Sequence, residues 1–366
     1  MNVRIESSKI VKPLYDACCG ARRRRRPAES RAAQPCSTGS PYDVYMAVIY
    51  AFRPPTPPNA ALEPGPSPRR LAVYREWAGE LADGGDAVLL NDRGGALFVE
   101  APVSAPLAAV MPFGPSPELL RLHPSRRRPR RPGAGARAAQ AVFRCGSLVI
   151  GFTSHHRVAY GQAAGNFLVA WGLASRRLPV APHVRERGRP PLARGLAAGE
   201  ATTLRVSVNG RTRMRPAVPR GYFGNLVLWA FPRCAAGELA SRPVQHAAKL
   251  IRRAVARADD AYFRSFVDFA SSGAVEAEGL AATADESQAV LCPDVEVDSW
   301  LGIDFYELDF GGGGGGGGPF YFTPSYLPME GTVFLVPSFA GDGGIDAYVA
   351  LFETHLDEFK KICYTY

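Results

Sequence analysis

Apolar positions recur along this chain in two rhythms, every second residue and every third or fourth, and their order predicts an α/β protein. Val3, Ile5 and Ile10 in "NVRIESSKIVKP" mark an opening strand, and "YDVYMAVIYAF" returns to apolar character. The spacing of Leu71, Tyr74, Trp77 and Leu81 predicts an amphipathic helix. Strands follow in "AVLLNDRG" and "ALFVEAPV", and "AVFRCGSLVIGF" predicts a strand pair. That pair runs into "GFTSHHRVAYGQAAGNFLVAWG", residues 151–172. There a short polar step carries His155 and His156 out of the core, and Ala163, Phe167, Ala170 and Trp171 share a helical face. A histidine pair at a strand-to-helix turn is well placed to face a cleft.

The rhythm fades from about 174 to 200, where proline, arginine and glycine dominate, and this predicts a junction between domains at 1–190 and 200–366. Beyond it, Leu204, Val206 and Val208 alternate until the turn signal Asn209-Gly210. "GYFGNLVLWAFP" reads as a buried strand. Ala247, Leu250, Ile251, Val255, Phe263 and Phe266 keep helical spacing. So do Ile345, Val349, Phe352, Leu356 and Phe359, with Asp346 near the start and Lys360 and Lys361 near the end, as the helix dipole favours. A strand ending at Phe310 is joined to two more by eight consecutive glycines, which predict a mobile loop.

Charge alters the picture little once it is located. The formal net charge of +9 sits largely in "ARRRRRPAES" and "HPSRRRPRRPGAGARAAQ", runs without interleaved aromatics or periodicity. They read as disordered loops over 21–41 and 125–138, and no nucleic-acid partner is expected. The seven cysteines show no metal spacing, and their odd number argues against a disulfide framework. No metal is expected, and the chain reads as a cytoplasmic monomer with no membrane-length apolar run.

"HHRVAYG" and "DFGGG" bring chemistry into this frame. The first resembles the HxxxDG motif of plant BAHD acyltransferases at His156 and Gly161, and the second resembles their DFGWG motif at Asp309, Phe310, Gly311 and Gly313. "YFGN" and "PSYLPMEGTVFLVPS" are further family-like segments, and the similarity spans the opening strand, 42–120 and nearly everything from 139 onward. "VRIESSKIVKP", together with Gly312 in place of the motif tryptophan, is most similar to the grass branch that makes hydroxycinnamoyl amides. Two other departures stand out: Tyr160 replaces the motif aspartate, and a long segment between Trp171 and "RVSVNGR" is missing.

The resemblance implies two chloramphenicol acetyltransferase-like α/β halves, each a mixed sheet with flanking helices, and a channel between them. It implies transfer of a hydroxycinnamoyl or benzoyl group from acyl-coenzyme A, a co-substrate rather than a resident cofactor, to a small amine or alcohol. His156 would be the general base. The motif aspartate would pair with an arginine, here Arg211 or Arg213, to fix the histidine loop; Tyr160 supplies no carboxylate. Asp309 to Gly313 would shape a structural turn, and Asp304 and Glu307 would meet a cationic acceptor. A catalytically impaired or truncated relative is the alternative, resting on Tyr160 and the missing segment.

Overall fold

The computed structural model describes residues 1–12, 28–31, 45–55, 74–81, 87–90, 95–124, 136–156, 158, 161–176, 199–219, 222, 226–278, 291, 293–311, 317–327 and 329–363. Contacts group them into two compact units, one from within Met1–Ala33, Asp43–Val184 and Ile303–Tyr326, the other from within Arg185–Gly302 and Leu327–Tyr366. The expected division at 190–200 therefore needs correction. The segment carrying Asp309 to Gly311 belongs with the first unit, because the strand that follows it hydrogen-bonds into the first sheet.

That sheet is built from β1 (Ser7–Val11), β3 (Tyr45–Phe52), β6 (Ala96–Val103), β7 (Ala136–Phe143), β8 (Leu148–His155) and β13 (Tyr321–Pro324), in the order β1-β6-β7-β8-β3-β13. β6 and β7 run parallel and the other pairs antiparallel, so the sheet is mixed. A small sheet of β2 (Ala28–Arg31), β4 (Glu80–Leu81) and β5 (Ala87–Leu90) adds to the unit. β2 falls inside 21–41, so that stretch is not wholly loop; of 125–138, residues 136–138 open β7 rather than a loop, and 125–135 lies outside the described residues.

Every residue of β8 is buried, which explains why "LVIGFTSH" is apolar almost throughout: it has neighbours on both edges and cover on both faces. On one face, Ile49, Val149 and Ala141 pack under Leu107, Leu119 and Leu122. Gly151 permits this, because a Cβ there would meet the carbonyl of Leu122. His123 pins the covering segment in place. It hydrogen-bonds Thr153 Oγ1 at 2.8 Å and Ser325 Oγ at 2.7 Å. On the other face lies helix α1 (Gly161–Ser175), with Phe167 6.1 Å from Phe152 and 5.2 Å from Trp77, and Trp171 6.3 Å from Phe98. The helix expected around Leu71 to Leu81 is, over the described part, only a 3-10 turn at Arg75–Ala78 followed by β4. Trp77 is fully buried against the aromatic cluster, so its docking outweighs helical spacing.

The second unit centres on a mixed sheet in the order β10-β9-β12-β14-β15, with β11 also paired to β9. Its strands are β9 (Ala201–Asn209), β10 (Val227–Ala230), β11 (Arg233–Ala235), β12 (Val295–Ser299), β14 (Thr332–Pro337) and β15 (Ile345–Val349). Helices α2 (Ala236–Ser241), α3 (Val244–Arg257), α4 (Asp260–Ser271) and α5 (Ala274–Ala277) follow β11, and α6 (Glu353–Ile362) ends the described chain. The periodic stretch from Ala247 to Phe266 is thus two helices. Asp259 divides them, its side chain capping the second by accepting from Tyr262 N at 3.0 Å. Val206, Val208 and Leu228 pack against Val255, Ala258 and Phe263.

The C-terminal helix begins later than its spacing predicts. Ile345 to Val349 pair antiparallel with β14, so Asp346 lies on a strand and only Glu353–Ile362 is helical. The glycines at 341 and 343, with φ of +71° and +77°, shape the chain before β15. Among the described residues, no helix is long and apolar enough to cross a membrane.

Candidate active site

The two adjacent histidines part company at the end of β8. His155 is paired in register with Tyr45, is 1% exposed, and meets the Tyr45 ring edge-on at 4.8 Å. Its carbonyl accepts from Val158 N at 2.9 Å, closing a turn in which His156 is the first residue beyond the strand. Val158 is buried, and helix α1 starts at Gly161. His155 therefore anchors the strand end, and His156, half-buried, is the first residue past it. Burial, and next the nearby His155, lower the His156 pKa to about 4. The imidazole is neutral at physiological pH and able to accept a proton. Tyr160 lies outside the described residues.

The segment from Ile303 to Gly311 runs beside α1, and two glycines on that helix receive it. A Cβ at Gly165 would strike the Ile303 side chain; one at Gly172 would lie 2.5 Å from the Asp309 carbonyl oxygen. Residues 165 and 172 are seven apart, two helical turns on one face, or about 10 Å. Asp304 thus sits near the end of α1 that follows His156, and Asp309 at the far end. Asp309 is fully engaged there: Oδ2 lies 2.7 Å from Arg176 Nη1, and Oδ1 accepts from Gly311 N at 2.7 Å. Gly311 has φ of +78°, which favours glycine, and Phe310 packs edge-on to Trp171 at 5.1 Å and Phe52 at 5.3 Å. These contacts support a structural part for Asp309, Phe310 and Gly311; Gly312 and Gly313 are outside the described residues. Asp304 is half-buried at the start of a 3-10 turn that spans Phe305–Glu307, and Glu307 is exposed.

Arg211 and Arg213 belong to the second unit, just past β9. Arg211 is 8% exposed; Nη2 donates to the Tyr222 carbonyl at 3.1 Å, and the guanidinium lies 5.5 Å from the centre of the Tyr222 ring. Burial lowers its pKa to about 10. Asn209 caps the turn by accepting from Arg211 N at 3.0 Å, so the Asn209-Gly210 signal also orients this arginine. Arg213 donates to the Val255 carbonyl at 3.3 Å, tying the turn to α3.

Two carboxylates that sequence reasoning did not single out lie on β12. Glu296 and Asp298 alternate with buried Val295 and Val297, so both acids share the opposite face of a strand flanked in parallel by β9 and β14. Burial raises the pKa of Glu296 to about 7, with the neighbouring Asp298 adding to the rise and Arg205 opposing it. Asp298 is raised mainly by burial, opposed by a hydrogen bond from Ser207. Arg205, paired in register with Glu296, also lies 3.7 Å from Asp294. The V-E-V-D alternation was the available signal. It became informative only with the two flanking strands in place.

These features define a class. The fold is shared with vinorine synthase, with a TM-score of 0.69 at 17% identity over 97% of this chain and 96% of that one. It is also shared with F. graminearum TRI101, solved in complex with coenzyme A and deoxynivalenol, with a TM-score of 0.65 at 13% identity over 92% and 97%. The chain belongs to the Transferase family, the BAHD acyltransferases, whose pattern matches residues 45–187 and 191–365. Among its relatives are agmatine coumaroyltransferase-1 of Hordeum vulgare, 43% identical with all of both chains covered, and putrescine hydroxycinnamoyltransferase of Oryza sativa, 42% identical with the same coverage. Tryptamine hydroxycinnamoyltransferase 2 of Oryza sativa is 30% identical over 99% of each. The barley comparison runs to 454 positions against 366 residues here, so that relative carries chain with no counterpart in this protein.

Proposed function

We propose that this protein moves a hydroxycinnamoyl or benzoyl group from a coenzyme A thioester to a small cationic amine, with His156 as general base. The observation that carries the reading is the neutral, half-buried imidazole of His156 at the β8–α1 turn. In the first step the amine nitrogen attacks the thioester carbonyl and its proton passes to the imidazole. In the second the C–S bond breaks, and the imidazolium returns the proton to the departing thiolate. A histidine with lowered pKa is a weak base but a strong acid once charged, which suits the second step.

The acceptor preference rests on carboxylates. Asp304 and Glu307 lie on the segment that runs beside α1, the helix that follows His156, and a carboxylate there would meet an ammonium or guanidinium group. Asp304 is half-buried and Glu307 exposed. The relatives named for agmatine, putrescine and tryptamine support an amine over an alcohol.

The test is amide formation from p-coumaroyl-coenzyme A with agmatine, putrescine and tryptamine, followed by mass spectrometry. His156→Ala should lower turnover by about 10²- to 10⁴-fold with an unchanged circular dichroism spectrum. Unchanged turnover in that variant overturns the role of His156. A catalytically impaired relative is the second reading, favoured by Tyr160 in place of the motif aspartate. It predicts no amide from the parent chain and a gain of activity in Tyr160→Asp.

A further inference from the structure

Three donors of different chemistry converge on the surface of the second unit. Cys234 lies on β11, Glu238 in the first turn of α2 and His246 in the first turn of α3. Cys234 Sγ is 3.1 Å from Glu238 Oε2, His246 Nε2 is 2.9 Å from Glu238 Oε1, and Cys234 Sγ is 4.0 Å from His246 Nε2. Their ligand atoms all lie within 4.8 Å of one another.

We propose that Cys234, Glu238 and His246 form a Zn²⁺ site that clips β11, α2 and α3 together, with one position left to water. Tetrahedral zinc with thiolate, imidazole and carboxylate ligands needs donor-to-donor distances of roughly 3.3 to 3.6 Å. The sulfur-to-imidazole separation of 4.0 Å is close to that, and Glu238 offers one oxygen to each of the other two donors, so a small carboxylate rotation brings one oxygen onto the ion. The contacts already present show that the three side chains converge on one small volume. An ion entering there takes the place of the hydrogens that now hold the trio, and the thiol proton leaves to solvent.

The geometry separates this reading from a nucleophile-and-base triad. In a triad the acid orients the base through its second ring nitrogen, so the three groups stand in line. Here His246 turns the same atom, Nε2, toward both the thiol and the carboxylate. Donors that meet at a point serve an ion. The donor types choose the ion: sulfur and imidazole favour zinc over magnesium or calcium, which take oxygen ligands. Cysteine spacing alone could not disclose the site, because only one of its ligands is a cysteine and the others come from two helices.

The experiment uses the full chain stripped of metal with a chelator and titrated with Zn²⁺ against a chromophoric competitor, then with Co²⁺ to detect a thiolate-to-metal absorption band. One equivalent should bind, the cobalt form should show the thiolate band, and Zn²⁺ should raise the thermal midpoint. Cys234→Ser and His246→Ala should each weaken Zn²⁺ binding by at least about tenfold while keeping the circular dichroism and acyl transfer of the parent. Glu238→Gln, on the most exposed of the three, gives the same readout if either of the others fails to fold. Absence of stoichiometric binding, or binding undiminished in the folded variants because other cysteines hold the ion, overturns the proposal.

Discussion

Asp309 and the pair Glu296–Asp298 lie thirteen or fewer residues apart in sequence, yet they meet opposite circumstances. Asp309 faces Arg176 at 2.7 Å and also accepts from Gly311 N, with about a quarter of its side chain exposed. Its charge is spent holding a turn against α1. Glu296 and Asp298 stand two residues apart on one face of an interior strand, and Arg205, paired in register with Glu296, also lies 3.7 Å from Asp294. A carboxylate with a dedicated partner is structure. A pair buried side by side has its pKa raised, by desolvation first and by mutual repulsion second.

The strongest way to break this comparison is to neutralise the β12 pair. Glu296→Gln with Asp298→Asn should stabilise the fold at pH 8 by about 3 kcal/mol, because buried carboxyls no longer carry the cost of ionising. Denaturant unfolding of the parent and the double variant would show it. A stability that does not move shows that the pair is compensated in the folded state.

Next in size is the seat of the Asp309 turn. Gly172→Ala puts a Cβ 2.5 Å from the Asp309 carbonyl, and backbone rather than a flexible side chain must yield. The expected loss is about 1 to 3 kcal/mol, read from denaturant unfolding. Asp309→Asn removes the partly exposed ion pair but keeps the contact to Gly311 N, and should cost less than about 1 kcal/mol after solvent screening. Parity between the two variants would show that the pair, not the packing, holds this turn.

Acidity sharpens the contrast further. The Glu296 pKa is raised in the folded state, so its favourable contribution is present below the unfolded value near 4.5 and is lost as pH rises toward 7. Glu296→Gln should therefore raise the thermal midpoint at pH 8 more than at pH 5. His156 works in the other sense: its folded pKa is depressed, so stability is present above 6.5 and is lost as pH falls toward 4. His156→Ala should flatten the acid side of the stability profile and leave the neutral side unchanged.

Much of the molecule was legible in the order of its residues. Apolar runs located β6 and β8, alternation located β9, and helical spacing located α1, because local geometry alone sets which side chains share a face. The motif match located His156, since a strand end followed by a helix start is a local event. The Asn209-Gly210 turn was equally local, and the structure adds only that its cap orients Arg211.

What the tertiary structure decided depended on partners distant in the chain. Ile345 to Val349 carry helical spacing but become a strand, because β14 offers a row of backbone groups to pair with. Trp77 leaves its expected helix for an aromatic pocket formed by Phe152 and Phe167. The motif at Asp309 joins the first unit because β13 pairs with β3, more than 260 residues earlier. Glu296 and Asp298 acquire their perturbed acidity only when β9 and β14 close on either side of them. The sequence by itself determined the periodicities and the presence of a histidine at a strand end. Burial, pairing and charge balance are sums over neighbours brought together by folding, and those sums decided which acids hold an ion pair and which have a raised pKa.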